Sequence, residues 1–290
     1  MRFSLYWFAG SRRKKCMMKE LQRLCRQIRQ DTVQSIYLAG SGHPGSSLSA
    51  VEIMATLYFT DIFQCNPSCP DDPTRDRFIL SKGHAAPAYY SVLARKGFFP
   101  ISQLRTLRQL GSSLQGHPNM VKLPCLDMAV GSLGQGLSIA NGIAFALKRQ
   151  DIASRVYCLI GDGEQQEGQI WEAAMFSVQH QLDNVCLIVD CNGLQLVDSV
   201  DVIKDMERVA FAWQGFGWHA IAVDGHDVKA LYQAFIEARQ VKKKPTVLLA
   251  KTVKGKGVSY MENQADWHGM APNKEQYTSA MKELSQEVQE

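Results

Sequence analysis

From Val156 onward, short apolar runs alternate with longer stretches of helical periodicity. Strands are predicted over 156–160, 185–189, 218–223 and 246–250, with helices over 166–180, 205–214 and 227–239 between them. Each strand is a nearly unbroken apolar run, the pattern of a sheet covered by helices on both faces, and helical crossovers make successive strands parallel. The predicted fold class is therefore α/β: a doubly wound, mostly parallel sheet with helices on both faces. Val228, Leu231, Phe235 and Ala238 line one face of the last crossover helix, and Asp227 stands at its N-cap. Trp171, Met175 and Val178 read as the core face of the helix over 166–180.

Upstream of Val156 the periodicity is helical but less regular. Leu21, Leu24, Cys25, Ile28 and Ile36 recur at helical spacing, a second apolar helix is predicted over 48–63, and others near 85–96, 101–110 and 134–148. Residues 66–77, with three prolines, read as a loop. Neither linker, repeat nor low-complexity tract divides residues 19–290, which read as a single domain. Residues 1–18 stand apart as a disordered leader or an upstream-extended start. Their apolar stretch, Phe3 to Ala9, is too short to span a bilayer, and the basic cluster follows it rather than preceding it as in a secretory signal.

The 290 residues are 46% hydrophobic and 21% charged, enough apolar material for a large core. The formal charge of +4 resides in the leader, which holds five of the 32 basic residues and no acid, so the body is balanced at 27 against 28. That balance argues against a nucleic-acid partner, and no segment suggests a membrane span. Eight scattered cysteines without CxxC spacing favour a reduced, cytoplasmic setting over a disulfide framework.

Candidate chemistry gathers where strands end. Gly161-Asp162-Gly163 closes the run at 156–160, and Asp190-Cys191-Asn192 closes the run at 185–189. Thirty residues separate Asp162 from Asn192, room for one crossover helix and a neighbouring strand. A carboxylate and a carboxamide oxygen then meet at the carboxyl edge of the sheet, where α/β proteins bind ligands. Hard cations such as magnesium or calcium take oxygen donors of this kind, and magnesium shares its shell with phosphates. The flanking glycines allow close backbone approach.

Gly-Asp-Gly followed by Asn at this interval resembles the thiamine diphosphate enzymes. Four histidine motifs narrow the resemblance to the transketolases: Ser41-Gly42-His43-Pro44-Gly45, Leu80-Ser81-Lys82-Gly83-His84, Gly116-His117-Pro118 and Trp267-His268-Gly269. The likeness runs from about residue 20 to about residue 275. It implies thiamine diphosphate as cofactor with Mg2+ or Ca2+, the metal held by Asp162, the Asn192 side chain and the backbone carbonyl of Leu194. The implied cofactor-binding residues are His84, Gly131, Leu133, Gly161, Asp162, Gly163, Asn192 and His268. His43, His117 and His268 would face the reacting sugar as catalytic residues, and imidazoles suit this because sugar hydroxyls must lose and gain protons near neutral pH. Glu167 aligns with a glutamate that couples the two cofactor sites across the family's dimer. Two positions depart from the family pattern: Ser132 replaces a proline in Gly131-Ser132-Leu133-Gly134-Gln135-Gly136, and Lys254 of Lys254-Gly255-Lys256-Gly257 stands where an apolar residue is usual. His180, His219 and His226 receive no role.

A complete transketolase is more than twice this length and adds pyrimidine-binding and carboxyl-terminal domains. The resemblance is thus to the amino-terminal subunit of a split transketolase, active only with a carboxyl-terminal partner subunit, in an expected α2β2 assembly. The implied reaction moves a two-carbon ketol unit from a ketose or its phosphate to an aldose or its phosphate through a thiamine diphosphate enamine, with the pentose phosphate pathway as the default setting. Alternatives are another thiamine diphosphate enzyme, such as a 1-deoxyxylulose-5-phosphate synthase, or a non-catalytic binding or regulatory subunit. A nucleotide-binding domain is disfavoured, because no GxGxxG opens a βαβ unit.

Overall fold

The computed structural model describes residues 11–195, 198–200 and 207–286. Five strands, β1 (Arg77–Leu80), β2 (Val156–Gly161), β3 (Val185–Cys191), β4 (His219–Asp224) and β5 (Thr246–Lys251), form a sheet in the order β1-β2-β3-β5-β4. Every neighbouring pair is parallel. Successive side chains of a strand face opposite ways, so the sheet divides two cores. Phe78, Leu80, Tyr157, Leu159, Cys186 and Ile188 enter one. It is closed by α1 (Ser11–Ala39), α3 (Val51–Phe59), α4 (Ala86–Lys96) and α8 (Val228–Gln240). Ile79, Cys158, Ile160, Leu187 and Val189 enter the other, closed by α5 (Gly136–Arg149), α6 (Gly168–Gln179) and α7 (Glu207–Gly215). Continuous apolar runs were required because both faces are covered.

A third cluster positions the site. Val33 and Leu48 pack with Val258, Met261, Trp267, Ala280 and Leu284, which pins the segment after β5 between α1 and α9 (Lys274–Ser285). Helix α9 starts on a reciprocal capping box of Asn273 and Gln276. The short helix α2 (Pro44–Ser49) lies below this segment, with proline at its first turn.

The fold follows the pattern from Val156 closely and departs from it in identifiable places. Strand β1 was not predicted: four residues running straight into Ser81-Lys82 leave too short a period to read, and it forms because its backbone pairs in register from Arg77 with Val156. The predicted helix over 101–110 is a tight turn over Ile101–Thr106, and Arg108 then takes a left-handed φ of 58°, which no α-helix accommodates. The helix over 48–63 is two helices meeting at Ala50. Met175 is 51% exposed and so does not belong to the core, whereas Trp171 and Val178 pack against it. Strand β4 is a half-exposed edge, with His219 bonded to Glu237 at 2.8 Å. Asp227 caps α8 through the amides of Lys229 and Ala230 as expected. Helix α1 already begins at Ser11, inside the stretch read as a leader, while residues 1–10 lie outside the described residues, as do residues 205 and 206 of the predicted helix over 205–214. Helix α9 was not anticipated. Among the described residues no helix is long and apolar enough to cross a membrane.

Candidate active site

Register brings the two strand ends together. Gly161 of β2 pairs with Asp190 of β3, so Asp162 and Asn192 emerge side by side. The Asp162 carboxylate accepts hydrogen bonds from the amides of Gly163 at 2.8 Å and Gly193 at 2.7 Å. Asn192 donates its Nδ2 to Asp190 at 3.1 Å, and its Oδ1 accepts from the Leu194 amide at 3.2 Å. Asp162, Asn192 and Leu194 thus gather around Gly193. Burial, and then the nearby Asp190 carboxylate, push Asp162 up to about 6 despite the two amides that favour its charge. A cation placed here would favour the ionised form. Among the described residues no group of three His, Cys, Asp or Glu could hold a metal. The available donors are one carboxylate, one carboxamide oxygen and one backbone carbonyl, a set that fits a hard cation completed by water or phosphate oxygens.

Asp190, with no exposed surface, organises the floor. It pairs with Lys82 and accepts from Ser49 and Thr252, joining α2, the turn after β1 and the segment after β5. Burial alone would raise its carboxyl, but the Lys82 charge and these hydrogen bonds hold it below the ordinary range. Glu164 plays a parallel role. It receives the Ser81 hydroxyl and the amides of Gly134 at 2.9 Å and Gly161 at 3.1 Å, tying three of the sequence motifs together.

Three histidines from three motifs converge. His43 precedes α2, His84 sits in the turn Gly83–Ala85, and His268 ends the turn Ala265–His268. Ring centroids lie 5.4 Å apart for His43 and His84, 5.5 Å for His43 and His268, and 5.3 Å for His84 and His268. His117 adjoins Gly83, its Cδ2 3.1 Å from where a Cβ there would stand. Burial lowers all four, assisted by neighbouring cations: His43 falls to about 4 with Arg108 as the next cause, and His268 to about 4 with Lys254 as the next. All four are therefore neutral at pH 7 and able to donate through one nitrogen and accept through the other.

Lys254 is fully buried. Its Nζ donates to the Gln195 carbonyl at 3.0 Å and reaches the Leu194 carbonyl at 3.5 Å and His268 Nδ1 at 3.1 Å. Burial, then Lys82, bring it down to about 8, and no carboxylate pairs with it among the described residues. The approach depends on Gly45: a Cβ there would lie 2.9 Å from the Trp267 carbonyl and 3.0 Å from Lys254 Cγ. This explains the glycine of His43-Pro44-Gly45 in steric terms. Asp162 and Asp190 offset the charge of this desolvated ammonium only in part, so its surroundings suit an anionic group.

Other expected residues lie on the rim. Gly131 faces open space and Leu133 is 39% exposed. Glu167 is exposed beside Gly134, at the start of α6. No described contact joins these three to the histidines. Asp190, Lys82, Glu164, Arg108 and Lys254 belong to the site with no role expected for them from the sequence. A charged residue closing a wholly apolar strand was a signal for Asp190, and nothing comparable marks Arg108.

Residues 20–289 match the family described as Transketolase, thiamine diphosphate binding domain. The chain belongs to the transketolase family. It is 41% identical over 268 residues to the 6-deoxy-6-sulfo-D-fructose transketolase subunit SqwG of Clostridium sp. (strain MSTE9), covering 92% of this chain and 97% of that one. It is 40% identical over 261 residues to an apulose-4-phosphate transketolase subunit from Phocaeicola vulgatus, covering 90% and 92%. The crystal structure of transketolase from Campylobacter jejuni superposes with a TM-score of 0.86 at 31% identity, over 92% of this chain but 43% of that chain. The chain thus spans nearly all of the family's separate subunits and less than half of its undivided enzyme.

Proposed function

We propose that this chain is the amino-terminal, diphosphate-binding subunit of a split transketolase, residues 19–290 forming that domain, and that it works in the cytoplasm with a carboxyl-terminal subunit in an α2β2 assembly. The observation that carries this reading is the convergence of His43, His84 and His268 beside the Asp162–Asn192 edge. Relatives named as transketolase subunits over nearly the same length support the division of labour.

In this reading Asp162, the Asn192 side chain and the Leu194 carbonyl hold Mg2+ or Ca2+, while His84, His268 and Lys254 receive the diphosphate, with Gly131, Leu133, Gly161 and Gly163 lining the cofactor. Thiamine diphosphate, when bound, supplies the carbon centre and electron sink for cleavage and remaking of the ketose carbon–carbon bond. The protein's own part is placement and proton handling. His43, His117 and His268, all neutral at pH 7, exchange protons with sugar hydroxyls. Glu167, exposed at the start of α6, couples the site to its symmetry mate. Substrates are ketoses and aldoses carrying a terminal anion: the relatives act, by name, on a sulfonated fructose and an apulose phosphate. A pentose phosphate role belongs to the same class.

The test pairs the chain with a partner carrying the pyrimidine-binding and carboxyl-terminal domains, then screens donors and acceptors with and without cofactor and cation. Asp162→Ala should abolish metal-dependent cofactor binding to the assembled complex in calorimetry. Binding at wild-type affinity would remove Asp162 from the metal site.

A further inference from the structure

Arg108 enters the site from a loop that no motif includes. Its Nη1 donates to Ser41 Oγ at 2.8 Å and its Nη2 lies 3.4 Å from His43 Nδ1. Among the described residues no carboxylate pairs with it, and its buried Nε has no hydrogen-bond partner. The loop is shaped around this placement. Arg108 takes a left-handed φ of 58°, a conformation costly for a non-glycine residue, while its amide donates to the Leu114 carbonyl at 2.8 Å to close the turn. The guanidinium then lies flat against Gly116, where a Cβ would stand 2.9 Å from Cζ and 3.0 Å from both Nε and Nη2. The glycine of Gly116-His117-Pro118 is therefore the seat of Arg108. An unpaired arginine held by backbone strain and a missing side chain has a task other than stability.

Chemistry fixes what that task is. A guanidinium has donors and no acceptor. His43 Nδ1 can face Nη2 only with its lone pair, which puts the ring proton on Nε2. No other hydrogen bond to the His43 ring is present among the described residues, so Nε2 is left for a ligand. We propose that Arg108 is a positioning residue that fixes His43 in the tautomer with its proton on Nε2, so that His43 meets the substrate as a hydrogen-bond donor. The inference rests on the ketol-transfer reading only in taking His43 as catalytic. The groups facing His43 are Arg108, His84, His117, Lys254 and His268, none of them a carboxylate that could favour its cation. Protonating His43 would set an Nδ1–H against a guanidinium N–H, which agrees with its depressed titration.

The experiment is 15N NMR of the full chain labelled at histidine, with the His43 signals assigned through His43→Gln. Wild type should show an unprotonated Nδ1 and a protonated Nε2 from about pH 5.5 to 8. Arg108→Met should give a mixture of tautomers and a midpoint raised towards that of a free imidazole. Arg108→Lys, which also offers donors and no acceptor, should retain the wild-type tautomer and guards against a folding defect in the first variant. In the assembled complex, Arg108→Met should lower kcat by roughly tenfold with KM changed far less, since proton transfer and not binding is impaired. A protonated Nδ1 in wild type, or a His43 spectrum unchanged in Arg108→Met, overturns the inference whatever the complex does with sugars. Failure of the wild-type complex to transfer ketol groups would refute the functional reading and leave the tautomer result standing.

Discussion

Lys254 carries a charge that burial makes expensive, with Asp162 and Asp190 attracting it but no carboxylate bonded to it among the described residues. Two carbonyls and His268 Nδ1 hold its ammonium, and the cost of desolvating it is recovered when an anion arrives. Lys254→Met keeps the volume and removes the charge. Charge-assisted bonds contribute about 1.5–3 kcal/mol, so cofactor affinity in the assembled complex should fall by roughly tenfold to a hundredfold. Calorimetric titration of thiamine diphosphate checks this, and unchanged affinity would make Lys254 a structural residue. The sequence exposed this residue without its meaning, since Lys-Gly-Lys-Gly reads equally well as a solvated loop. Burial is decided elsewhere, by Gly45 leaving room for the stem and by Trp267 closing over it. Asp162, Asn192 and the motif histidines were legible because each stands in a local pattern of glycine or proline at a strand or helix end. Arg108 was not, because a left-handed residue in an irregular loop leaves no periodic trace.

Besides the Lys82–Asp190 pair, a second buried ion pair ties elements around that arrangement. Arg29 of α1 makes paired hydrogen bonds to Glu52 of α3 at 2.5 and 2.7 Å and donates to the Lys256 carbonyl at 2.8 Å. His226, placed after β4, bonds Glu52 through Nδ1 at 2.9 Å and accepts the Val253 amide on Nε2 at 2.8 Å. Two helices and the segment bearing Lys254 are thereby fixed to one carboxylate, and His226, given no role from sequence, has a structural one. Burial alone would raise Glu52, but Arg29 and then His226 outweigh it and bring the carboxyl from 4.5 down to about 2. A folded value below the unfolded one stabilises the protein above pH 4.5, and the contribution fades as pH falls towards 2. A shift of this size corresponds to on the order of 3 kcal/mol. Glu52→Gln should therefore lose about that much stability in urea unfolding at pH 7, with the gap to wild type narrowing below pH 4.5. A gap independent of pH would mean that the variant acts through packing alone. At this scale β2, β3, β5 and the crossover helices were readable because a strand buried on both faces must be apolar throughout. Helix α9 and β1 were not, since α9 buries little beyond Ala280 and Leu284 and β1 depends on a partner strand far along the chain.

As a whole molecule the chain presents a site with one wall. Lys82, Lys254 and the three converging histidines line the side that would take a cation and a diphosphate, and the other side is open, with His43 and His268 half-buried and His117 exposed. Around this mouth, Leu133 and the exposed Glu167 lie on the rim, and α6 continues outward with Met175 at 51% and Phe176 at 40% exposure. Apolar side chains so displayed on a helix that also begins at the site suit contact with a second polypeptide, and an obligate interface needs roughly 2,000 Å² or more. Undivided transketolases run to more than twice the matched length, so the opposing wall has a natural source in the remaining domains. If those domains come from a separate polypeptide, binding and chemistry must appear together on assembly. Purified alone, the chain should transfer ketol groups at least about a hundredfold more slowly than when mixed with its partner, because half of the positioning that makes the reaction intramolecular is missing. Light scattering during the titration should show activity rising in step with complex formation and saturating at the stoichiometric point. Full activity from the chain alone, in a species that scatters as only this polypeptide, would show that it builds the entire site itself.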